Sequence, residues 1–319
     1  MRSTTGLAAA LFATALGAAA AQEPAPTPTP VPSTEAPSAP EEEKQEGRPF
    51  RPIESNVIVN LPSVDVPSDG TLTFLVTHRF QSPIQDGDID NFFTLDLENR
   101  WGFGLWYAPV QNLNVGFYRS SNLNIYEASA QYALPRLGGF ASSLRVGEDW
   151  RTDPAAASPH SSFFAQAILA YSFGKYARIT AVPTYLQRTN SRDVTFDQPI
   201  PGDPTCRFEE RQEGFVCSGL YENIFNVPFA ASVALTHSIT VHGEVYPRLS
   251  KVNSSGVGWA VTVEKSLLRH RFAFFAGNMR PTTVDQYTGG LPYDPITFPR
   301  PPASNVYIGF NLYRAWKLK

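Results

Sequence analysis

His242 and Glu244 stand two residues apart on one face of an alternating segment. A histidine beside a carboxylate is the beginning of acid–base or nucleophilic chemistry. Such chemistry also needs a nucleophile and an orienting group within hydrogen-bond reach. No serine stands in a nucleophile elbow, where Ser lies between flanking glycines, and Gly258 followed by Trp259 does not supply one. No catalytic residue is assigned, and a hydrolase ranks below the readings that follow. Cys206 and Cys217 lie close together in a stretch rich in polar residues, Pro and Gly, with no histidine near them. A structural zinc site needs about four N/S ligands, so neither a metal nor a cofactor is expected. In an exported protein the pair reads as one disulfide closing a small external loop, with two unpaired thiols as the alternative.

The charged residues of interest sort by position. Arg100, Glu127, Arg145, Arg178, His242, Glu244 and Glu264 all fall on the non-apolar face of alternating segments. Trp101, Phe103, Leu105 and Tyr107 alternate with Arg100, Gly102 and Gly104; Leu113, Val115 and Phe117 alternate with Asn114, Gly116 and Tyr118. Tyr126, Ala128, Ala130, Tyr132 and Leu134 then alternate with Ile125, Glu127, Ser129, Gln131 and Ala133. A period of two puts each set on its own side of a strand. One side suits lipid and the other water, which is the wall of a transmembrane β-barrel.

Bulk properties agree without deciding. The chain has 319 residues, a net charge of -3 and only 17% charged residues, so no basic footprint argues for a nucleic-acid partner. Aromatics reach 13%, which suits interfacial girdles. Arg2 precedes an apolar run from Leu7 to Ala18 and the small residues Ala19 to Ala21, the layout of a signal peptide over residues 1–21. Residues 22–55 are rich in Pro and then Glu and cannot bury enough apolar surface to order themselves, so they read as a disordered linker.

Residues 56–319 are assigned to the barrel. Ile58, Val59, Val64 and Val66 make a broken apolar lead-in, and about twelve strands follow, an even number as bacterial barrels require. Connections alternate between short, near Pro109, Leu137, Gly174, His237 and Arg269, and mostly long, such as Thr189 to Gly219 and Asn278 to Ala303. Outer-membrane barrels sort their loops this way, with short turns in the periplasm. Both termini are therefore expected there. Pro183, Pro228 and Pro247 fall inside proposed strands and count against them, since each removes a ladder donor.

Thr77, His78, Arg79 and Phe80, then Asp90, Asn91, Phe92 and Phe93, and then Val115, Gly116, Phe117, Tyr118, Arg119 and Ser120 resemble the strand motifs of a bacterial outer-membrane barrel family described as a domain of unknown function. That family pairs a His-Arg-Phe strand end with a Val-Gly-x-x-Arg-Ser strand; Ala108 after Tyr107 departs from its Tyr-Gly strand. The resemblance implies a barrel and brings no activity. His78 and Arg79, beside the loop acids Asp86, Asp88 and Asp90, are candidates for the external mouth, either binding there or pinning that loop. Membrane lipid and the barrel-assembly machinery are the expected partners. Two functions stay open, and the glycines clustered on the lumen side of the second and third strands favour the first. A lumen with charges of both signs and spacious glycines suits a channel for small polar solutes; the same charges paired across a filled lumen suit a docking barrel working through its loops and linker.

Overall fold

A computed structural model describes residues 56–80, 82–87, 99–121, 124–152, 161–187, 206–209, 214–217, 223–247, 254–267, 269–288, 291–292 and 304–318. The expected signal peptide and linker, residues 1–55, fall outside these residues, as do Asp88 and Asp90. Twelve strands close into one antiparallel barrel. They are β1 (Thr71–Phe80), β2 (Asn99–Val110), β3 (Leu113–Ser120), β4 (Ile125–Ala133), β5 (Phe140–Arg151) and β6 (Ser161–Phe173). The broken strand β7 (Ala177–Ala181 and Thr184–Gln187) and the broken strand β8 (Ile224–Asn226 and Phe229–Ala234) follow. Then come β9 (Ile239–Tyr246), β10 (Gly258–Leu267), β11 (His270–Gly277) and β12 (Tyr307–Lys317). Closure is at β1, where Leu75 lies opposite Gly104 of β2 on one side and Tyr313 of β12 on the other. A closed sheet leaves no edge unpaired, the condition for strands to stand in lipid.

Two of the suspect prolines explain the interruptions. Pro183 breaks β7 and Pro228 breaks β8 side by side, and the carbonyls stay in use: Val182 N donates to Pro228 O at 2.9 Å and Ala167 N to Pro183 O at 2.9 Å. Pro247 lies just past the end of β9, where its carbonyl accepts from Asn226 Nδ2 at 3.0 Å.

The alternation read from the sequence holds around the wall. Outward apolar side chains are well exposed, Phe103 at 44% and Leu105 at 48%, whereas inward neighbours are buried. The glycines do not leave the space expected of them. Across the β2–β3 pair Gly104 lies opposite Tyr118 and Trp106 opposite Gly116. Each aromatic side chain lies over the facing glycine, the two rings stacked 6.2 Å apart. A β-carbon at Gly104 or Gly116 would collide with Trp106, and one at Gly102 with the Tyr118 hydroxyl. Glycine here admits a ring rather than water.

Both ends of the barrel chain lie at the end bearing the short turns, where Gly70 N donates to Ala108 O at 2.6 Å and Leu318 N to Gly70 O at 2.7 Å. Residues 56–66 are not part of the wall. They form a finger inside the barrel, with Ile58, Val59, Leu61 and Val64 fully buried. At the other end the chain after β11 folds inward and forms a short helix, α1 (Val284–Thr288), every residue of which is buried.

Outside the barrel, Cys206–Glu209 and Gly214–Cys217 pair as a hairpin with Cys206 directly opposite Cys217. Peptide mapping under non-reducing conditions should recover these two cysteines crosslinked; free thiols at both would refute the bond. Gly116→Val should destabilise the barrel by about 1–3 kcal/mol, the usual cost of overpacking. Loss of the compact, heat-sensitive band on electrophoresis at a lower urea concentration would register it, and unchanged resistance would contradict the ring-over-glycine packing.

Candidate functional site

The pleat of β9 sends His242, Glu244 and Tyr246 into the lumen. There Glu244 meets the tip of the N-terminal finger. The finger is a tight turn, with Ile58 N donating to Leu61 O at 2.7 Å and Ser63 N to Asn56 O at 3.0 Å. Its curvature turns three successive amides toward one point. Val59 N and Leu61 N donate to Glu244 Oε1 at 2.8 and 3.0 Å, and Asn60 N to Oε2 at 3.1 Å. The Tyr246 hydroxyl also donates to Oε2. Convergent backbone amides of this kind make an anion-binding concavity, here filled by the protein's own carboxylate.

The contacts run on around the lumen. Arg79 of β1 donates to Asn60 Oδ1 at 3.0 Å and to Asn311 Oδ1 at 2.8 Å, and its guanidinium lies 4.3 Å over the Phe275 ring. Asn311 of β12 donates to Val59 O at 3.0 Å. Nearer the base of the finger, Gln131 Nε2 donates to Ser63 O at 2.7 Å and Asn114 Nδ2 to Asn56 Oδ1 at 3.0 Å. Asp65 pairs with both Arg136 and Arg178. The finger therefore enters and leaves by the short-turn end.

The second insert meets the opposite side of the lumen. Glu127 and Arg145 form an ion pair, and Arg145 donates to Gln166 Oε1 at 3.0 Å. Gln166 donates to the Tyr287 hydroxyl at 3.2 Å, and burial pushes the titration of that hydroxyl up. Val284 N reaches Glu127 Oε2 at 3.3 Å and Asp285 N reaches Asp149 Oδ2 at 2.7 Å. Tyr118 OH donates to Thr282 Oγ1 at 2.8 Å. Where the two inserts approach one another, a cavity of about 20 Å³ remains, lined by Val59, Asn60, Thr77, Glu127, Arg145 and Tyr287 among others. That is room for about one water molecule.

His242 finds partners other than its neighbour Glu244. Its Nδ1 lies 2.9 Å from Ser232 Oγ, and its Nε2 lies 3.8 Å from Glu264 Oε2, with Arg271 3.5 Å from the other carboxylate oxygen. Ser, His and Glu in this order invite comparison with a hydrolytic triad. Ser232, His242 and Glu264 are each at most 3% exposed inside the packed lumen, so no substrate carbonyl reaches the hydroxyl. The group is a polar network tying β8, β9, β10 and β11 together.

The sequence candidates fall into place as follows. Glu127, Arg145, Arg178, His242, Glu244 and Glu264 point inward and are buried, and Arg100 points inward half-buried. Glu127 and Arg145 pair with one another, Arg178 pairs with Asp65 of the finger, Glu244 holds the finger amides, and His242 faces Glu264. His78 and Arg79 do not form one mouth site, because successive residues of a strand point to opposite faces. Arg79 turns into the lumen, whereas His78 turns outward among Phe80, Trp101 and Phe310, with ring centroids 4.1 to 4.8 Å away. Asp86 is exposed in a short 3₁₀ turn, Ile84–Asp86, and Arg79 does not pin it. Asn60, Tyr246, Asn311, Asp149 and Tyr287 escaped the sequence reading. Asn60 and Tyr287 come from segments without alternation, and the strand residues among them are ordinary polar fillers until their partners are known.

Residues 53–316 match a family described as membrane bound beta barrel domain (DUF5777). No curated protein matches the sequence. Among solved structures, the NanC porin aligns at 7% identity and a TM-score of 0.44, covering 77% of this chain and 100% of its own. Outer membrane phospholipase A from Escherichia coli aligns at 10% identity and 0.40, covering 76% and 89%. BamA from Haemophilus ducreyi lacking POTRA domains 1–3 aligns at 8% and 0.27, covering 78% and 70%. Likeness at this level carries no activity across.

Removing the Glu244 carboxylate strands the three finger amides, and each buried donor without an acceptor costs about 1–3 kcal/mol. In Ser63→Cys, a near-isosteric probe, the new thiol should resist a water-soluble maleimide over the background of Cys206 and Cys217. In Ser63→Cys with Glu244→Ala it should label at least tenfold faster. Equal labelling rates would show that Glu244 does not hold the finger.

Proposed function

The chain belongs to the DUF5777 family of membrane-bound β-barrel domains, and from that premise we propose a barrel of the outer membrane that is closed to passive flow and acts as a docking platform. Its long loops face outward, its two termini lie in the periplasm, and the signal peptide directs its export. The observation that carries this reading is the set of Val59, Asn60 and Leu61 amides on Glu244 in the lumen. A pore meant to stand open has no use for a carboxylate saturated by its own chain. The apolar packing supports the same reading. Ile58, Val59, Leu61 and Val64 join Phe164, Ile168, Leu186 and Phe275 in one buried cluster, whereas a water-filled lumen is polar. Short turns at the end where the termini lie support the orientation. The partners of this reading are outer-membrane lipid, the assembly machinery during insertion, and whatever engages the linker and the long loops.

A gated channel for small polar solutes is the second reading, favoured by one observation. The finger enters and leaves by the same end, so it can withdraw without threading the chain through the barrel. Planar-bilayer recording separates the possibilities. The intact protein, with insertion verified, should give no stable conductance. A standing conductance altered by Arg145→Ala or Glu264→Ala would overturn closure. Deletion of residues 56–66 should raise the conductance if the finger seals the lumen; brief openings of the intact protein that this deletion turns into a standing conductance would favour the gate.

A further inference from the structure

The outward wall at the short-turn end carries positive charge that the lumen does not use. Lys265 stands on β10, Arg269 and His270 at the turn into β11, and Arg314 on β12. Register brings them together: His270 lies opposite Leu267 on one side and Arg314 on the other, and Lys265 lies opposite Phe272, one outward position along. Strands about 4.8 Å apart and side chains this long let the cationic groups converge on one patch three strands wide. Elsewhere at the same end Arg136 is paired with Asp65 and Lys317 with Asp69, and among the described residues Lys175 stands alone over the Tyr176 ring at 5.1 Å. Lys265, Arg269 and Arg314 have no carboxylate partner among the described residues. Lys265 Nζ donates to Ser238 Oγ at 2.8 Å, and the Arg314 guanidinium lies 5.1 Å from the Trp316 ring.

Directly along the wall from these charges the surface turns apolar. Phe272, opposite Lys265, is 49% exposed, and Phe274 is 57% exposed one outward position further on. Cations next to an exposed apolar strip, on a wall that faces lipid, match an amphiphile with an anionic head. We propose that this patch binds the phosphate of an anionic membrane phospholipid, with its acyl chains lying along Phe272 and Phe274. Guanidinium supplies forked donors that fit phosphate oxygens, and the ammonium of Lys265 adds a mobile point charge. Basic clusters at a membrane boundary attract anionic lipid for the same reason. The site depends on the barrel standing in a membrane and not on whether its lumen is closed.

The test reconstitutes the full protein in vesicles of phosphatidylcholine and phosphatidylglycerol in equal amounts, then counts retained lipids by native mass spectrometry after mild detergent extraction. The intact barrel should retain phosphatidylglycerol over phosphatidylcholine by on the order of tenfold. Lys265→Gln with Arg314→Gln should lose that preference while keeping the compact, heat-sensitive band of a folded barrel. Lys175→Gln, a cation of another turn, should leave it intact. Equal retention of both lipids by the intact protein would overturn the site. So would a preference untouched by the double substitution, or one that millimolar inorganic phosphate abolishes, which would mark a simple anion patch.

Discussion

The carboxylate of Glu244 is the point on which the inside of this barrel depends. An ionised carboxylate withdrawn from water is costly unless hydrogen bonds replace its hydration. Here a turn of the same chain replaces it with three amides, and Tyr246 adds a hydroxyl. The dependence is mutual, because the same amides would otherwise be buried donors with no acceptor. Arg79 and Asn311 extend the arrangement to β1 and β12, the two strands that close the barrel. Closure of the sheet and seating of the finger thus share side chains.

Around that point the lumen is filled as a protein core is filled. On the side of β6 to β8 the finger contributes apolar side chains to a cluster with Phe164, Ile168, Val182, Leu186 and Ile224. Near β4 and β5 the fill is polar, and α1 lays its first amides on Glu127 and Asp149. Between β2 and β3 it is aromatic, with Trp106 and Tyr118 lying over glycines. Two segments outside the wall therefore carry out what bulky wall residues alone carry out in the smallest barrels.

The wall was legible in the sequence and the fill was not. A period of two along Trp101 to Tyr107 or Val257 to Val263 reports which face a residue takes, and this is a local property. Even the prolines were legible as a difficulty, resolved where Pro183 and Pro228 interrupt neighbouring strands together. What fills a lumen is decided by contacts across it, and Val59 meets Glu244 from 185 residues away. Ile58 and Val59 read only as a broken apolar lead-in because a buried turn and a frayed strand have the same composition. Gly102, Gly104 and Gly116 read as space because glycine records that something approaches closely and does not record what. His78 and Arg79 read as a pair because they are adjacent, although adjacency in a strand means opposite faces.

Hydrogen exchange of the intact protein, inserted in lipid vesicles and followed at the amides of Val59, Asn60 and Leu61, tests most directly whether the chain seals its own barrel. If these amides rest on Glu244 they should exchange as slowly as those of the barrel strands, and should quicken by orders of magnitude in Glu244→Ala. Exchange at the rate of an unstructured peptide in the intact protein would show that the finger lies outside the lumen, and the closed barrel would have to be abandoned.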